Sequence, residues 1–242
     1  MDRSFAHLPS RVIQAVHPAW EALLQVIYPP RCLGCGARLM EEPTPLCYRC
    51  LPRMERVDAA HLAMVLADIA EAQGVLDSAF ALWLFDAGGR VQRLQHLLKY
   101  GNRPAHGRAL GQLMGAAYRD TSAPQPALVV PVPLHRARLY ERGYNQSALL
   151  AHGIGHVLGV PAPETILTRH RATPSQTNLS RLRRWENVAG AFAVTQPEAL
   201  AGRPVLLVDD VLTTGATLAA AATALKEAGA ASVHAATLAL AR

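Results

Sequence analysis

Val205-Leu206-Leu207-Val208-Asp209-Asp210-Val211-Leu212-Thr213-Thr214-Gly215-Ala216-Thr217 is the most informative stretch of the chain. Four apolar residues make a short buried strand, which ends in two adjacent carboxylates. A Thr/Gly loop follows and opens a helix over 218–228. In open α/β sheets ligands bind beyond the carboxyl ends of strands. Gly215 lets the backbone turn and come close to a ligand. Backbone N–H groups from Thr213 to Thr217, at a helix N-terminus, form a cradle for an anion. Carboxylates beside a phosphate cradle would repel the phosphate. A ligand with a phosphate at one end and hydroxyls nearby removes the conflict. Its hydroxyls donate to Asp209 and Asp210 while the loop takes the phosphate. A ribose 5-phosphate has this form. A bland reading, a strand end with an acidic helix cap, needs Asp210 alone.

Outward from this stretch the chain reads as alternating strand and helix. Residues 127–132 form a continuous apolar run, as a parallel strand buried on both faces does. A helix is expected over 146–158, and 232–240 closes the chain as a strand. Upstream, 78–85 alternates as a strand, Asp86-Ala87-Gly88-Gly89 turns, and helices are expected over 51–75, 91–100 and 105–119. The pattern predicts an α/β fold with a mostly parallel sheet and flanking helices.

A second segment follows the earlier strand: Val130-Pro131-Val132-Pro133-Leu134-His135-Arg136-Ala137-Arg138-Leu139-Tyr140-Glu141-Arg142-Gly143-Tyr144-Asn145-Gln146. It is expected to be a basic loop. Three arginines in seven residues can neutralise a diphosphate leaving group; a merely solvated loop is the alternative. The stretch 169–187 is polar and Arg-rich with no apolar period, so it reads as an exposed loop. Arg169, Arg171, Arg181, Arg183 and Arg184 could close over a diphosphate and exclude water from an oxocarbenium-like centre. Thr173, Ser175, Gln176 and Asn178 fit a lid or an ordinary polar surface equally.

The charge distribution agrees with these segments. The chain has 242 residues and a formal net charge of +6. Residues 90–190 carry fourteen Arg and Lys against four Asp and Glu, a net of +10. Residues 1–60 are almost neutral. The basic residues are nearly all arginine, and the only lysines are Lys99 and Lys226. Such a surplus favours phosphate-bearing partners without choosing among them.

All four cysteines sit in Cys32-x2-Cys35 and Cys47-x2-Cys50. Each pair can turn two sulfurs toward one ion, and Gly34 and Gly36 permit the tight turn. Four thiolates make a closed tetrahedral zinc site, which is structural because no position is left for water. A redox pair or disulfides are the alternatives, and a reduced compartment disfavours them.

Half the residues are hydrophobic and 17% are charged, which excludes a disordered, collagen-like or coiled-coil chain. The N-terminus lacks the pattern of a signal peptide. No apolar run approaches the roughly 20 residues that span a bilayer. A cytoplasmic location is expected. Residues 10–28 read as an amphipathic helix, with Val12, Val16, Trp20, Leu23, Leu24 and Ile27 on one stripe. It would pack on the protein's own body or serve an adaptor role.

The strand–loop–helix at 205–217 resembles the PRPP-binding motif of type I phosphoribosyltransferases. The resemblance implies that Asp209 and Asp210 hold the ribose 2- and 3-hydroxyls. It places the 5-phosphate on Thr213, Thr214, Gly215, Ala216 and Thr217. The segment with Arg136, Arg138 and Arg142 matches that family's pyrophosphate loop. Arg136 and Arg138 then bind PRPP, and Arg142 joins the acid pair as a catalytic residue. The order of further segments is similar to the ComF family, which is associated with DNA uptake in competent bacteria. These are the cysteine pairs, Leu98-Lys99-Tyr100-Gly101, Thr173-Pro174-Ser175-Gln176 with Leu179, Arg184 and Asn187, and the Asp-Asp loop. The likeness runs from about residue 20 to the end of the chain. It implies a structural Zn²⁺ on Cys32, Cys35, Cys47 and Cys50, and Mg²⁺ carried with PRPP. It also implies a division into an N-terminal zinc element (1–60) and a phosphoribosyltransferase-like domain (61–242).

Two functions are therefore expected. One is a PRPP-binding phosphoribosyltransferase-like protein acting in DNA uptake, as a transferase or as a sensor without turnover. The other is a nucleic-acid-associated module that tracks single-strand phosphates. Tyr100, Tyr140, Tyr144 and Trp185 lie in the basic region and would supply stacking. Single-stranded DNA and a protein of the uptake machinery are the partners these functions imply. No segment specifies an acceptor base.

Overall fold

The computed structural model describes residues 29–39, 44–67, 69, 74–171 and 190–241. The helix expected over 10–28 and most of the polar stretch after Arg171 lie outside these residues. The elements are α1 (Ala59–Ala67), β1 (Ser78–Leu84), α2 (Arg90–Tyr100), α3 (Pro104–Arg119), β2 (Leu128–Pro131), α4 (Arg136–Arg142) and α5 (Gln146–Leu158). They continue as β3 (Leu167–Arg169), β4 (Phe192–Val194), β5 (Pro204–Leu212), α6 (Ala216–Glu227) and β6 (Ser232–Leu240).

The main sheet has the order β1-β6-β5-β2 and is parallel throughout. β3 and β4 form a separate antiparallel pair. The strands of the main sheet are buried on both faces, with side chains alternating between two cores. Val129, Leu206, Val208, Ala236 and Leu238 face a layer that contains α2, α3 and α5. Leu128, Val130, Val205, Leu207 and Ala235 face α6, α1 and the β3–β4 pair. The cysteine element belongs to the first layer. Cys32, Cys47, Cys50 and Leu46 pack in one buried cluster with Val91, Leu94 and Leu98.

α3 and α5 cross with their backbones touching. Gly107, Gly111 and Gly115 recur every four residues and so share one face of α3. A Cβ on Gly111 would lie 2.2 Å from the Leu150 carbonyl oxygen. This crossing aims the N-terminus of α5 at the carboxyl ends of β5 and β2.

β5 is longer than its apolar core suggests. It pairs with β6 as far as Leu212↔Leu240. Its pairing with β2 stops at Pro131↔Val208. Asp209 and Asp210 therefore lie within the strand, not after it, where β2 has peeled away and opened a crevice.

Other expectations are corrected. The region 51–75 is not one helix. Leu51–Arg53 is a 3₁₀ turn. Residues 55–57 then run along the outer edge of β1, with Arg56 bridging Trp83, before α1 starts at Ala59. The basic segment is not a loop throughout, because Arg136 to Arg142 coil into α4. The His135 side chain accepts from the Ala137 N–H at its start, and Gly143 ends it at φ 79°. Arg169 is not in an exposed loop but on β3, with Phe192 of β4 opposite it.

Candidate phosphoribosyl site and cysteine cluster

A cavity of about 230 Å³ opens at the carboxyl ends of β5 and β2. Among the residues that line it are Asp209, Asp210, Arg138, Arg142 and Thr217, all singled out from the sequence. Lys99, His135, Gln146, Ser147 and Arg169 join them. Arg136 faces instead a neighbouring groove with Leu139, Thr168 and His170. Thr213, Thr214, Gly215 and Ala216 form the turn below Thr217 and are not in the cavity wall. Gly215 takes φ 75°, and a Cβ there would lie 2.8 Å from Ile69 Cγ2.

The carboxylates are held individually. Asp209 Oδ1 accepts from Ser147 Oγ at 2.8 Å and from the Asp210 N–H at 2.8 Å. Asp210 Oδ2 pairs with Lys99 Nζ at 2.8 Å and accepts from Gln95 Nε2 at 3.3 Å. Asp209 Oδ2 and Asp210 Oδ1 carry no hydrogen bond or ion pair among the described residues. Burial pushes the Asp209 carboxyl up to about 7, and the adjacent Asp210 charge adds to the rise. Hydrogen bonds from the Asp210 N–H and Ser147, and the Lys99 charge, oppose it.

Cations form the facing wall. Arg142 donates to Gln146 Oε1 and lies 5.9 Å from the Tyr100 ring centre. Arg169 stacks 5.4 Å from the Phe192 ring centre. Burial lowers its pKa, while the charge of Asp209 raises it. Two helix N-termini also open here. Asn145 caps α5 by accepting from the Ser147 N–H. α6 has no side-chain cap, because Gly215 stands at that position. Its first N–H groups keep their donor capacity for an anion.

Sequence reasoning missed the site roles of Gln95, Lys99 and Ser147. Lys99 carried a signal as part of the Leu98-Lys99-Tyr100-Gly101 segment of the ComF likeness, but no role was attached to it. Gln95 and Ser147 carried none.

The cysteines lie on the far side of α2. All four sulfurs are within 4.8 Å of one another. Cys35 Sγ and Cys47 Sγ are 3.7 Å apart, well beyond the roughly 2.05 Å of a disulfide. Tetrahedral zinc at about 2.3 Å from each sulfur sets S···S distances near 3.8 Å. The Cys47 N–H donates to Cys32 Sγ at 3.2 Å. Burial alone would raise the Cys32 thiol, but backbone N–H groups of Cys47, Cys35 and Gly34 bring it down to about 7. A Cβ on Gly34 would press on Cys50 Sγ at 3.0 Å. The four residues can hold a metal ion such as zinc.

The phosphoribosyl transferase domain family matches residues 147–242, which include β5, the acid pair and α6. Competence protein F of Haemophilus influenzae is 32% identical over 200 residues, 78% of this chain and 87% of the relative. The chain belongs to the ComF family. DNA utilization protein YhgH of Salmonella typhi is 40% identical over 145 residues, 58% of this chain. That match spans 63% of the relative's own length. A solved structure titled glutamine phosphoribosylpyrophosphate amidotransferase from B. subtilis is 22% identical. It covers 59% of this chain and 30% of its own, with a TM-score of 0.41. No helix among the described residues of this ComF chain is long and apolar enough to cross a membrane.

Proposed function

We propose that this ComF protein binds PRPP, or a related phosphoribosyl compound, in the cavity at the end of β5. The observation that carries the reading is the pair of carboxylate oxygens, one on each of Asp209 and Asp210, that have no partner among the described residues. Two hydroxyls of one ribose need two such acceptors. The uncapped N-terminus of α6, which meets the cavity at Thr217, takes the 5-phosphate. Arg138 and Arg142 take the diphosphate, and Arg169 lines the same cavity. Arg136 reaches a ligand only from the adjoining groove.

Mg²⁺ enters with the diphosphate, held mostly by ligand oxygens and water. If transfer occurs, the site works by positioning and by stabilising the departing diphosphate. Zinc occupies the four thiolates and is structural. The cysteine element (1–60) supports the transferase-like part (61–242), and the protein acts in the cytoplasm in DNA uptake. Titration calorimetry with Mg²⁺-PRPP tests this directly. Binding should be lost in the Asp209→Ala/Asp210→Ala variant, and unchanged affinity would sink the reading. Pyrophosphate release screened over nucleobases separates a transferase from a sensor.

A second reading has its own support. Beside the cavity lies a groove lined by Tyr100, Tyr140, Tyr144, Arg138 and Arg142. Tyr140 is 92% exposed and Tyr100 is 66% exposed. Exposed rings among arginines suit single-stranded nucleic acid, whose bases stack and whose phosphates pair. Binding of a labelled oligothymidine should weaken in Tyr100→Ala/Tyr140→Ala and fall steeply with salt. Salt-insensitive or absent binding removes this reading.

A further inference from the structure

Lys99 stands where the phosphoribosyl cavity and the tyrosine groove meet, and it lines both. Its ammonium contacts Asp210 Oδ2 at 2.8 Å, with the lysine side chain 26% and the aspartate side chain 9% exposed. Gln95, one turn earlier on the same face of α2, donates to the same oxygen at 3.3 Å. α2 thus presents two donors to one carboxylate oxygen and leaves Asp210 Oδ1 for a ligand.

The helix that carries Lys99 is fixed at its other end. The Asp86 carboxylate accepts the N–H groups of Arg90, Val91 and Gln92. Arg90 in turn lies beside the Cys50 thiol and opposes the rise that burial imposes on it. Val91, Leu94 and Leu98 are buried. Lys99 is therefore delivered to Asp210 by a rigid element.

Two adjacent carboxylates in one crevice without a nearby cation would share a proton, as like charges in one site do. A protonated pair has lost part of its capacity to accept hydroxyl hydrogens. Other positive or titratable groups face the pair: His135 before α4, Arg138 and Arg142 on α4, and Arg169 on β3. Arg142 is already engaged by Gln146 and Tyr100. The closest ion pair to either carboxylate among the described residues is that of Lys99.

We propose that Lys99 is the positioning residue of the acid pair, a built-in counter-ion that holds Asp210 in place as an acceptor, so that a ribose phosphate engages the pair with no divalent metal bridging to it. The inference rests on the phosphoribosyl reading of this cavity and adds which cation the carboxylates use. Mg²⁺ then serves the diphosphate alone. The charge of Lys99 also opposes the upward push on the Asp209 carboxyl.

The probe is ribose 5-phosphate, which has no diphosphate to bring a metal. Calorimetry on the full chain with its cysteine metal retained would compare wild type, Lys99→Met and Lys99→Arg. Each is measured in Mg²⁺-containing and Mg²⁺-depleted buffer from pH 6 to 9. Wild type should bind with less than about a threefold change on Mg²⁺ depletion. Lys99→Met should bind at least about tenfold more weakly near neutral pH, with the midpoint of its pH profile about one unit higher, since one pKa unit is a tenfold effect. Lys99→Arg should recover most of the affinity and the wild-type midpoint. Far-UV circular dichroism confirms that the variants are folded. A Lys99→Met protein with wild-type affinity and midpoint overturns the proposal. So does wild-type binding that appears only with Mg²⁺, although that result leaves the phosphoribosyl reading standing. No binding of ribose 5-phosphate or PRPP in any buffer overturns both.

Discussion

Asp209 and Asp210 are neighbours in the chain with different surroundings. Asp210 has an ammonium in contact, whereas Asp209 has a hydroxyl and a backbone N–H. The Asp209 carboxyl titrates near 7, against an ordinary value of 3.8. A carboxyl raised in the folded state binds its proton more tightly there than in the unfolded chain. Stability therefore falls as pH rises from about 4 to about 7, and the full penalty is present above 7. Asp209→Asn should raise the melting temperature of the ligand-free protein at pH 8, with the gain fading toward pH 4. Ligand affinity should run the other way. Wild-type binding of PRPP should weaken by up to about tenfold per pH unit below 7, as the acceptor becomes protonated. Asp209→Asn should flatten that part of the profile. The acid pair was legible because strand, carboxylates, glycine turn and helix are contiguous. Its partners were not. Ser147 lies 62 residues from Asp209, and Gln95 lies 115 residues from Asp210. Only the folded crossing of α2 and α5 over the sheet brings them together.

At the level of elements, the crossing of α3 and α5 decides where the cavity opens. Gly111→Ala would drive a methyl group into the Leu150 carbonyl, so the helices must separate. Overpacking of this kind costs about 1–3 kcal/mol. Urea unfolding should show that loss, together with weaker ligand binding as Ser147 withdraws from Asp209. Strands and helices of the main sheet were legible because their apolar runs are long. α4 was not, because seven residues with three arginines and no buried side chain give no helical period. Its signals are the His135 cap and Gly143, which are local and easily mistaken for turn chemistry. The β3–β4 pair was hidden for another reason. Each strand has three residues, and more than twenty separate them in sequence.

For the whole molecule, the cysteine element is not an appendage. Its cysteines share a core with α2, and residues 55–57 extend the edge beside β1. Metal removal should therefore lower the melting temperature of the entire chain, not melt a separate small unit. Cys35→Ser alters the exposed ligand and disturbs packing least. It should reduce bound zinc well below one ion per chain by atomic emission and lower the melting temperature in the same direction. The local surplus of positive charge also finds its place. Lys99, Arg138, Arg142 and Arg169 surround two carboxylates, which leaves the cavity positive overall. Finally, α2 places Arg90 beside Cys50 of the cysteine cluster and Lys99 in contact with the acid pair. Nine residues are two and a half turns, so the two side chains leave opposite sides of the helix, about 13.5 Å apart along its axis. The register of α2 is thereby locked from both ends. A single-residue insertion between them would rotate one end by about 100° against the other, and no rigid rotation could restore both contacts. Over this stretch the chain can change residues, but it cannot change length.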